Sequence, residues 1–156
     1  MTRTSSLSKP IIEALYTEAL VLADEVRSVF AHGATPSEPS VARHEDAMAR
    51  LALSTEGLKT TTRMMHVLAW LLNQRAYFSG ELSENQVRQH GALPADRSAD
   101  AEQIERLEPE TRELIAETER LHRRIARLDN AWRERFELGN SPARAFQERI
   151  GRELGG

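Results

Sequence analysis

Glu119 and His122 have the spacing of a helical metal site. They form a Glu-x-x-His motif, and in a helix both side chains lie on one face. A di-iron carboxylate bundle needs two such motifs and two further glutamates that face them. The motif has no second copy, and the corresponding stretch of the central helix, 63–66, begins with Arg63 instead of glutamate. We therefore expect no metal and no cofactor, and keep a helical metal-binding protein or enzyme as the alternative.

Other catalytic patterns are also missing from the sequence. It has no Gly-x-x-x-x-Gly-Lys-Thr phosphate loop, no Gly-x-Ser-x-Gly nucleophile turn and no His-Glu-x-x-His motif. It has no cysteine, which excludes disulfides, thiolate catalysis and zinc–cysteine sites. Its carboxylates follow the faces of helices and form no confined pair. We therefore expect no catalytic residues and no enzymatic activity.

A run of arginines in the last long helix raises DNA binding by a dimer as a further alternative. Acidic residues are interleaved with these arginines, as in a solvated helix face with i,i+4 ion pairs. The net charge of −3 and the pI near 6.0 also argue against nucleic-acid binding. The arginines are Arg120, Arg123, Arg124, Arg127 and Arg133, with Glu119, Asp129 and Glu134 beside them.

The composition predicts a soluble, all-α protein. Apolar residues make up 40% of the 156 residues, enough for a core, and aromatic residues make up 5%, few for a β-sandwich. Alanine, leucine, glutamate and arginine dominate, and these residues favour helices. Because no stretch approaches 18 consecutive apolar residues, we expect no membrane span and a cytoplasmic location.

Three apolar stripes with helical spacing predict long helices at 9–32, 41–79 and 109–138. A capping box that begins at Ser83 predicts a short helix at 83–90. Modest connections between long amphipathic helices favour an antiparallel, up-down-up three-helix bundle over residues 1–139. The first stripe is Ile12, Leu15, Ala19, Leu22, Val26 and Val29, and the last is Thr111, Leu114, Thr118, Leu121, Ile125, Leu128 and Trp132.

The central helix has the widest apolar face. Leu58, Met65 and Leu72 recur every seven residues, and we expect this face to pack against the other helices. The opposite side should hold the least buried residues of the bundle. Because tryptophan, tyrosine and arginine dominate binding hot spots, we interpret that side as a dimer or partner interface, with burial in the core left open. It consists of Arg63, Trp70, Gln74 and Tyr77.

Arg75 lies within the apolar arc of the central helix, next to Leu72. A charge in that position needs a partner or a route to the surface. We expect Arg75 to pair with Asp129 or with a glutamate of the last helix. A direct role in partner binding is the alternative.

Two segments resemble a known family. The pattern T-T-R-M-M-x-x-x-A-W-L-L-x-Q-R-A-x-x-x-G-E-L-S at 61–83 and the run R-I-A-R-L-D at 124–129 are similar to blocks of the alphaproteobacterial regulator of CtrA degradation (RcdA) family. With the spacing between them, the resemblance covers roughly 47–129. The chain has His66 where the family pattern has glutamine.

This resemblance implies a homodimeric three-helix bundle with no reaction of its own. Proteins of the RcdA family are proteolytic adaptors. They work with the ClpXP protease and its response-regulator-like partner CpdR, and help to deliver cargo such as the cell-cycle regulator CtrA. The resemblance thus implies those partners here, in the cytoplasm and at the cell pole. The implied mechanism is a rise in effective concentration, because several moderate contacts hold cargo near the protease.

Residues 140–156 form a C-terminal tail beyond the helix stop at Gly139 and Pro142. If the tail is helical, Phe146 and Ile150 share an apolar edge, although so short a helix is unstable alone in water. The edge either docks on the bundle or becomes ordered on a partner. Since tails in the resembled family are mobile and implicated in delivery, we favour partner binding. Removing the tail should then impair delivery and leave helicity and dimerisation nearly unchanged.

Overall fold

A computed structural model describes residues 7–33, 44–139 and 142–155. The described residues form helices and connections, with no strand among them, so the predicted all-α class is confirmed. Predictions that fall on 1–6, 34–43, 140–141 and 156 lie outside the described residues. The helices are α1 (Lys9–Gly33), α2 (His44–Phe78), α3 (Glu84–His90), α4 (Ala101–Glu105), α5 (Pro109–Gly139) and α6 (Pro142–Leu154).

The helix ends follow local sequence signals. α5 begins at Pro109, whose missing N–H is not needed in a first turn. At the start of α3, Ser83 Oγ accepts a hydrogen bond from Gln86 N, and the Gln86 side chain accepts one from Ser83 N, as the predicted capping box requires. α2 ends before Gly80, whose φ of +82° is a conformation that favours glycine.

The core lies between α1, α2 and α5, and the inner faces predicted for α1 and α5 are confirmed. Gly57 of α2 allows a close approach to α1, because a Cβ atom there would lie only 2.8 Å from Phe30 Cδ1. The buried residues of the two predicted stripes are Ile12, Leu15, Ala19, Leu22 and Val26 on α1, and Thr111, Leu114, Thr118, Leu121, Ile125 and Trp132 on α5.

The contacts between α2 and α5 advance together along both helices, so the two helices run in the same direction. α1 runs opposite to α2. The structure thus differs from the predicted up-down-up order, because the connection 79–108 returns along the bundle before α5 begins. For α2 and α5, the directions follow from the shared cluster of Ala52 and Ile115 and from the pairs Arg63–Thr118 and Trp70–Asp129. For α2 and α1, they follow from the pairs Gly57–Phe30 and Arg75–Glu13.

The side of α2 that we predicted to be exposed faces the core. Arg63, Trp70 and Gln74 are each at most 1% exposed, whereas Leu58 is 71% and Met65 64% exposed. The predicted orientation of α2 is therefore wrong by about half a turn. The physical reason lies in the connection after α2, which supplies hydrogen-bond partners for Arg63 and lets this face be buried.

Candidate functional site

Residues 91–100 form a segment without helix that crosses the buried face of α2. We call it the return segment, because it carries the chain back toward the start of α2. From 93 to 100 an extended chain spans about 23 Å, and α2 between 56 and 70 spans about 21 Å. The return segment therefore matches in length the part of α2 that anchors it.

Arg63 anchors the middle of the return segment. Its Nε lies 2.8 Å from both carboxylate oxygens of Asp96, and its terminal nitrogens donate to Arg97 O at 3.0 Å and to Thr118 Oγ1 at 2.9 Å. The Arg63 side chain is fully buried, and that of Asp96 is 20% exposed. A buried guanidinium is tolerated here because these acceptors satisfy its donors.

Asp129 of α5 anchors the start of the return segment. It accepts hydrogen bonds from Trp70 Nε1 at 3.0 Å and from Leu93 N at 3.2 Å. Arg133 Nε lies 3.1 Å from Asp129 Oδ1 and balances its charge. Because Asp129 is almost fully buried, these donors satisfy a carboxylate that would otherwise be costly to bury.

Glu56 anchors the end of the return segment. Its Oε1 accepts hydrogen bonds from Lys59 Nζ at 3.0 Å and from Asp100 N at 3.4 Å. Lys59 Nζ also lies 3.4 Å from Ser98 O. The second carboxylate oxygen of Glu56 is buried and has no hydrogen-bond partner among the described residues. This end of the return segment is therefore held less completely than the middle.

Through these contacts, Arg63 and Trp70 help to hold the return segment within one chain. Both belong to a set of five residues that we call the clamp. The prediction that Arg63 and Trp70 lie on an exposed side is wrong, and their role in binding a partner stays a prediction. The clamp consists of Glu56, Arg63 and Trp70 on α2 and of Thr118 and Asp129 on α5.

Gln74 and Tyr77, the other residues of the side predicted to be exposed, also turn inward. Gln74 is fully buried, and neither polar atom of its side chain has a hydrogen-bond partner in the described part of the chain. Tyr77 is half-buried and packs edge-on against Trp132, with ring centroids 6.1 Å apart. Because burying an unpaired amide costs free energy, Gln74 lowers the stability of the core.

Arg75 pairs with α1 instead of the last helix, so its predicted pairing with Asp129 or a glutamate of that helix is wrong. Its Nε lies 2.9 Å from Glu13 Oε1, and its guanidinium lies 4.3 Å from the centre of the Tyr16 ring. The hydrogen bond to Glu13 raises the pKa of Arg75 above its ordinary value. The orientation of α2 explains the change of partner, because it places Arg75 beside α1.

His122, half of the Glu-x-x-His motif, is engaged within the chain. Its ring is 5% exposed, and Nε2 lies 3.1 Å from Pro94 O in the return segment. In the residues that the structure describes, no three histidine, aspartate or glutamate side chains converge as a metal site requires. None of the described helices has the length and apolar character needed to span a membrane.

The outward face of α2 carries an exposed apolar stripe. Leu51, Leu58, Met65 and Leu72 recur every seven residues, and their exposures are 55%, 71%, 64% and 48%. We call these four residues the α2 stripe, which is about 31 Å long at 1.5 Å per residue. Exposed apolar surface marks interaction sites in soluble proteins, so the α2 stripe is the strongest candidate binding surface among the described residues.

The central part of the α2 stripe carries no formal charge. Between 60 and 74 the only charged residue is Arg63, which is buried, although 29% of the whole chain is charged. The α2 stripe therefore lies on a surface suited to contact with another protein surface. Its neighbours on the outward face include Thr61, Thr62, His66, Ala69 and Asn73.

α6 presents a second exposed apolar edge. Phe146 is 64%, Ile150 38% and Leu154 82% exposed, and the three residues are four apart. The tail is helical over Pro142–Leu154. Phe146 and Ile150 lie at the surface, where a partner could reach them.

A family model for proteins of unknown function, DUF1465, matches residues 3–154 of the chain. The protein belongs to the DUF1465 family. No curated protein and no solved structure matches it. The matched region contains the clamp, the α2 stripe and α6, so all three lie within the part that this family shares.

The predicted site residues of this DUF1465 protein do not form one site. They divide among the core, the contacts of α2 with α1 and α5, and the surface of α6. Sequence reasoning missed the clamp, although a signal for it exists in a second stripe opposite the apolar one. Its members alternate four and three apart: Glu56, Thr60, Arg63, Val67, Trp70 and Gln74.

Proposed function

We propose that this DUF1465 protein is a non-catalytic adaptor that forms a homodimer and brings a protein cargo to a protease. The observation that carries this proposal is the exposed α2 stripe, whose central part carries no formal charge. It offers a surface for protein contact, whereas the residue with the best catalytic potential, His122, is buried and bonded to the return segment.

The α2 stripe suits a second copy of the same chain. Helices pair along a common seam when two positions of each seven-residue repeat are apolar or small. The α2 stripe supplies one of these positions, and Thr55, Thr62 and Ala69, four residues further on, supply the other. In a twofold dimer the same patch faces itself, so the patch must be self-complementary. The central part of the α2 stripe meets this condition, because two copies approach there without repulsion between like charges.

The resemblance to the regulator of CtrA degradation family supports the adaptor role. The resembled segments, 61–83 and 124–129, contact each other through the hydrogen bond from Trp70 to Asp129. Because that bond helps to hold the return segment, the resemblance bears on the fold more directly than on a binding surface. By the same resemblance, the proposed partners are the ClpXP protease, a CpdR-like response regulator and a cargo such as CtrA, at the cell pole.

The proposed mechanism needs no chemistry from this protein. Two chains joined at the α2 stripe present two α6 helices, each with an exposed apolar edge. Once one contact with cargo or protease has formed, the second becomes intramolecular, at an effective concentration on the order of millimolar for a short flexible link. Several moderate contacts then hold the cargo at the protease.

A reconstituted degradation assay tests the proposal. It contains purified ClpXP, a CpdR-like regulator, CtrA as cargo, and either the wild-type protein or one of two variants. We expect the wild-type protein to accelerate degradation, Leu58→Glu to lose most of that effect and Leu20→Glu to keep it. Leu20 is the matched control, because it is an exposed leucine of α1 outside the α2 stripe.

Two results would count against this function. A wild-type protein that leaves the rate of degradation unchanged would contradict the adaptor role. Full acceleration by Leu58→Glu would contradict the dependence of that role on the α2 stripe.

A further inference from the structure

α1 and α5 leave an open groove between them near the start of α1. This α1–α5 groove has a volume of about 600 Å³. An ion pair between Arg124 Nη1 and Glu18 Oε1, 2.9 Å apart, crosses it and limits it on one side. Its apolar lining consists of Ile11, Ala14 and Leu15 on α1 and of Leu128 and Ala131 on α5.

α6 is a short amphipathic helix whose apolar edge is not packed against the described core. It has 13 residues, and a helix of that length is only marginally stable alone in water. Its exposed edge, formed by Phe146, Ile150 and Leu154, is the apolar side that a groove would cover. The charged residues Glu148 and Arg152 lie on the opposite side of α6.

The short separation between α5 and α6 would bring this edge level with the groove in a helical hairpin. Only residues 140 and 141 separate the two helices, and loops of two to five residues join antiparallel helix pairs. In such a hairpin, residues equally far from the loop lie at the same level. Ile150 is then level with Ala131, and Leu154 is level with Arg127, two residues of α5 that line the groove.

We propose that α6 folds back as a strap into the α1–α5 groove of its own chain. Ile150 and Leu154 then cover the apolar lining, and the charged side of α6 faces solvent. The short connection favours the same chain over a second copy, because it holds α6 at high effective concentration. The described structure, in which the edge of α6 is exposed, corresponds to the open state of this proposal.

Closure of the strap limits access to α6. A partner that binds the apolar edge of α6 must first displace it from the α1–α5 groove, so the two contacts compete. The proposal rests on the groove and on α6, and is independent of the α2 stripe and of any protease.

The absence of cysteine from the sequence makes the strap directly testable. Ala14→Cys places a single thiol in the groove, and Ala101→Cys places one on the exposed surface of α4 as a control. A thiol-reactive dye should label Ala14→Cys about threefold more slowly in the intact chain than with Ile150→Ser/Leu154→Ser, since that protection needs only a modest docking constant. The rate at Ala101→Cys should not change.

A matched double variant separates docking from helix formation. Glu148→Ser/Arg152→Ser alters the opposite side of α6 and keeps the net charge, so Ala14→Cys should stay protected. A chain that ends at Asn140 should lose protection to the same extent as Ile150→Ser/Leu154→Ser. This chain gives the same comparison without any substitution in α6.

Two outcomes overturn the proposal. Equal labelling rates of Ala14→Cys in the intact chain and in the chain ending at Asn140 would show that α6 does not cover the groove. Protection that grows with protein concentration would assign the groove to the α6 of a second copy. Neither readout depends on dimerisation at the α2 stripe, so a failed strap and a failed adaptor role are distinguishable.

Discussion

The two faces of α2 reverse the usual distribution of polar and apolar residues. The inner face buries Arg63, Trp70 and Gln74, whereas the outer face exposes Leu58 and Met65. On α1 and α5 the apolar stripes face inward, as expected for a bundle. The difference teaches that a regular apolar stripe does not by itself identify the face of a helix that packs in the core.

The return segment makes this reversal possible. It brings Asp96 and backbone oxygens to the polar face of α2, and these satisfy the buried guanidinium of Arg63. The polar face is thus covered within one chain. The apolar face stays exposed, and this exposure is the basis of the proposed homodimer.

Arg63→Met should have the largest effect on the inner face. Removing one partner of a buried ion pair leaves the other uncompensated and costs about 3–5 kcal/mol. We expect that loss in the free energy of unfolding, measured by urea denaturation. Arg124→Met is the control, because the exposed Arg124–Glu18 pair should contribute less than about 1 kcal/mol. Similar losses in both variants would contradict the importance of the clamp.

Trp70→Phe should have the next largest effect. The variant keeps an aromatic ring but removes the hydrogen bond from Nε1 to the buried carboxylate of Asp129. Hydrogen bonds to charged groups contribute about 1.5–3 kcal/mol, and we expect a loss of this size in the free energy of unfolding. The dimerisation constant should not change, because Trp70 faces inward. A weaker dimer with an unchanged free energy of unfolding would show that Trp70 lies in the dimer interface.

Gln74→Met should stabilise the protein. The side chains are similar in size, and methionine removes two buried polar atoms that have no hydrogen-bond partner among the described residues. Relief of that penalty should raise the free energy of unfolding by about 1–3 kcal/mol. Gln89→Met, on the exposed surface of α3, is the control and should change it by less than about 0.5 kcal/mol. A less stable Gln74→Met would show that the amide has a partner.

Removal of the tail after Asn140 should have the smallest effect on stability. α6 lies outside the core, so the thermal midpoint should stay within about 4 °C of that of the intact chain. Differential scanning calorimetry measures this change. Delivery of cargo in the degradation assay should nevertheless fall. A large drop in the midpoint would make α6 part of the core, and full delivery would make it dispensable.

The sequence predicts the helices better than their orientations, and the reasons are physical. Helix ends depend on neighbouring residues, such as Pro109 and the capping box at Ser83, so local rules suffice for them. The orientation of α2 depends on a choice between two stripes of the same period. The buried stripe is paired with Asp96, which is distant in sequence and lies in a segment without periodicity.

The α2 stripe is recognisable in the sequence, but its exposure is not. The seven-residue repeat of Leu58, Met65 and Leu72 is present in the sequence, and reasoning from a single chain places it in the core. The direction of α5 was missed for a related reason. A long connection without regular structure gives no local sign that it runs back along the bundle.

Sedimentation equilibrium of the wild-type protein and Leu58→Glu tests the central claim most directly. At tens of micromolar (a concentration on the order of a moderate dimerisation constant), the wild-type protein and the Leu20→Glu control should be dimers. Leu58→Glu should be a monomer with helicity unchanged, because Leu58 is mostly exposed within one chain. A monomeric wild-type protein, or a Leu58→Glu variant that remains dimeric, would contradict the assignment of the α2 stripe as the dimer interface.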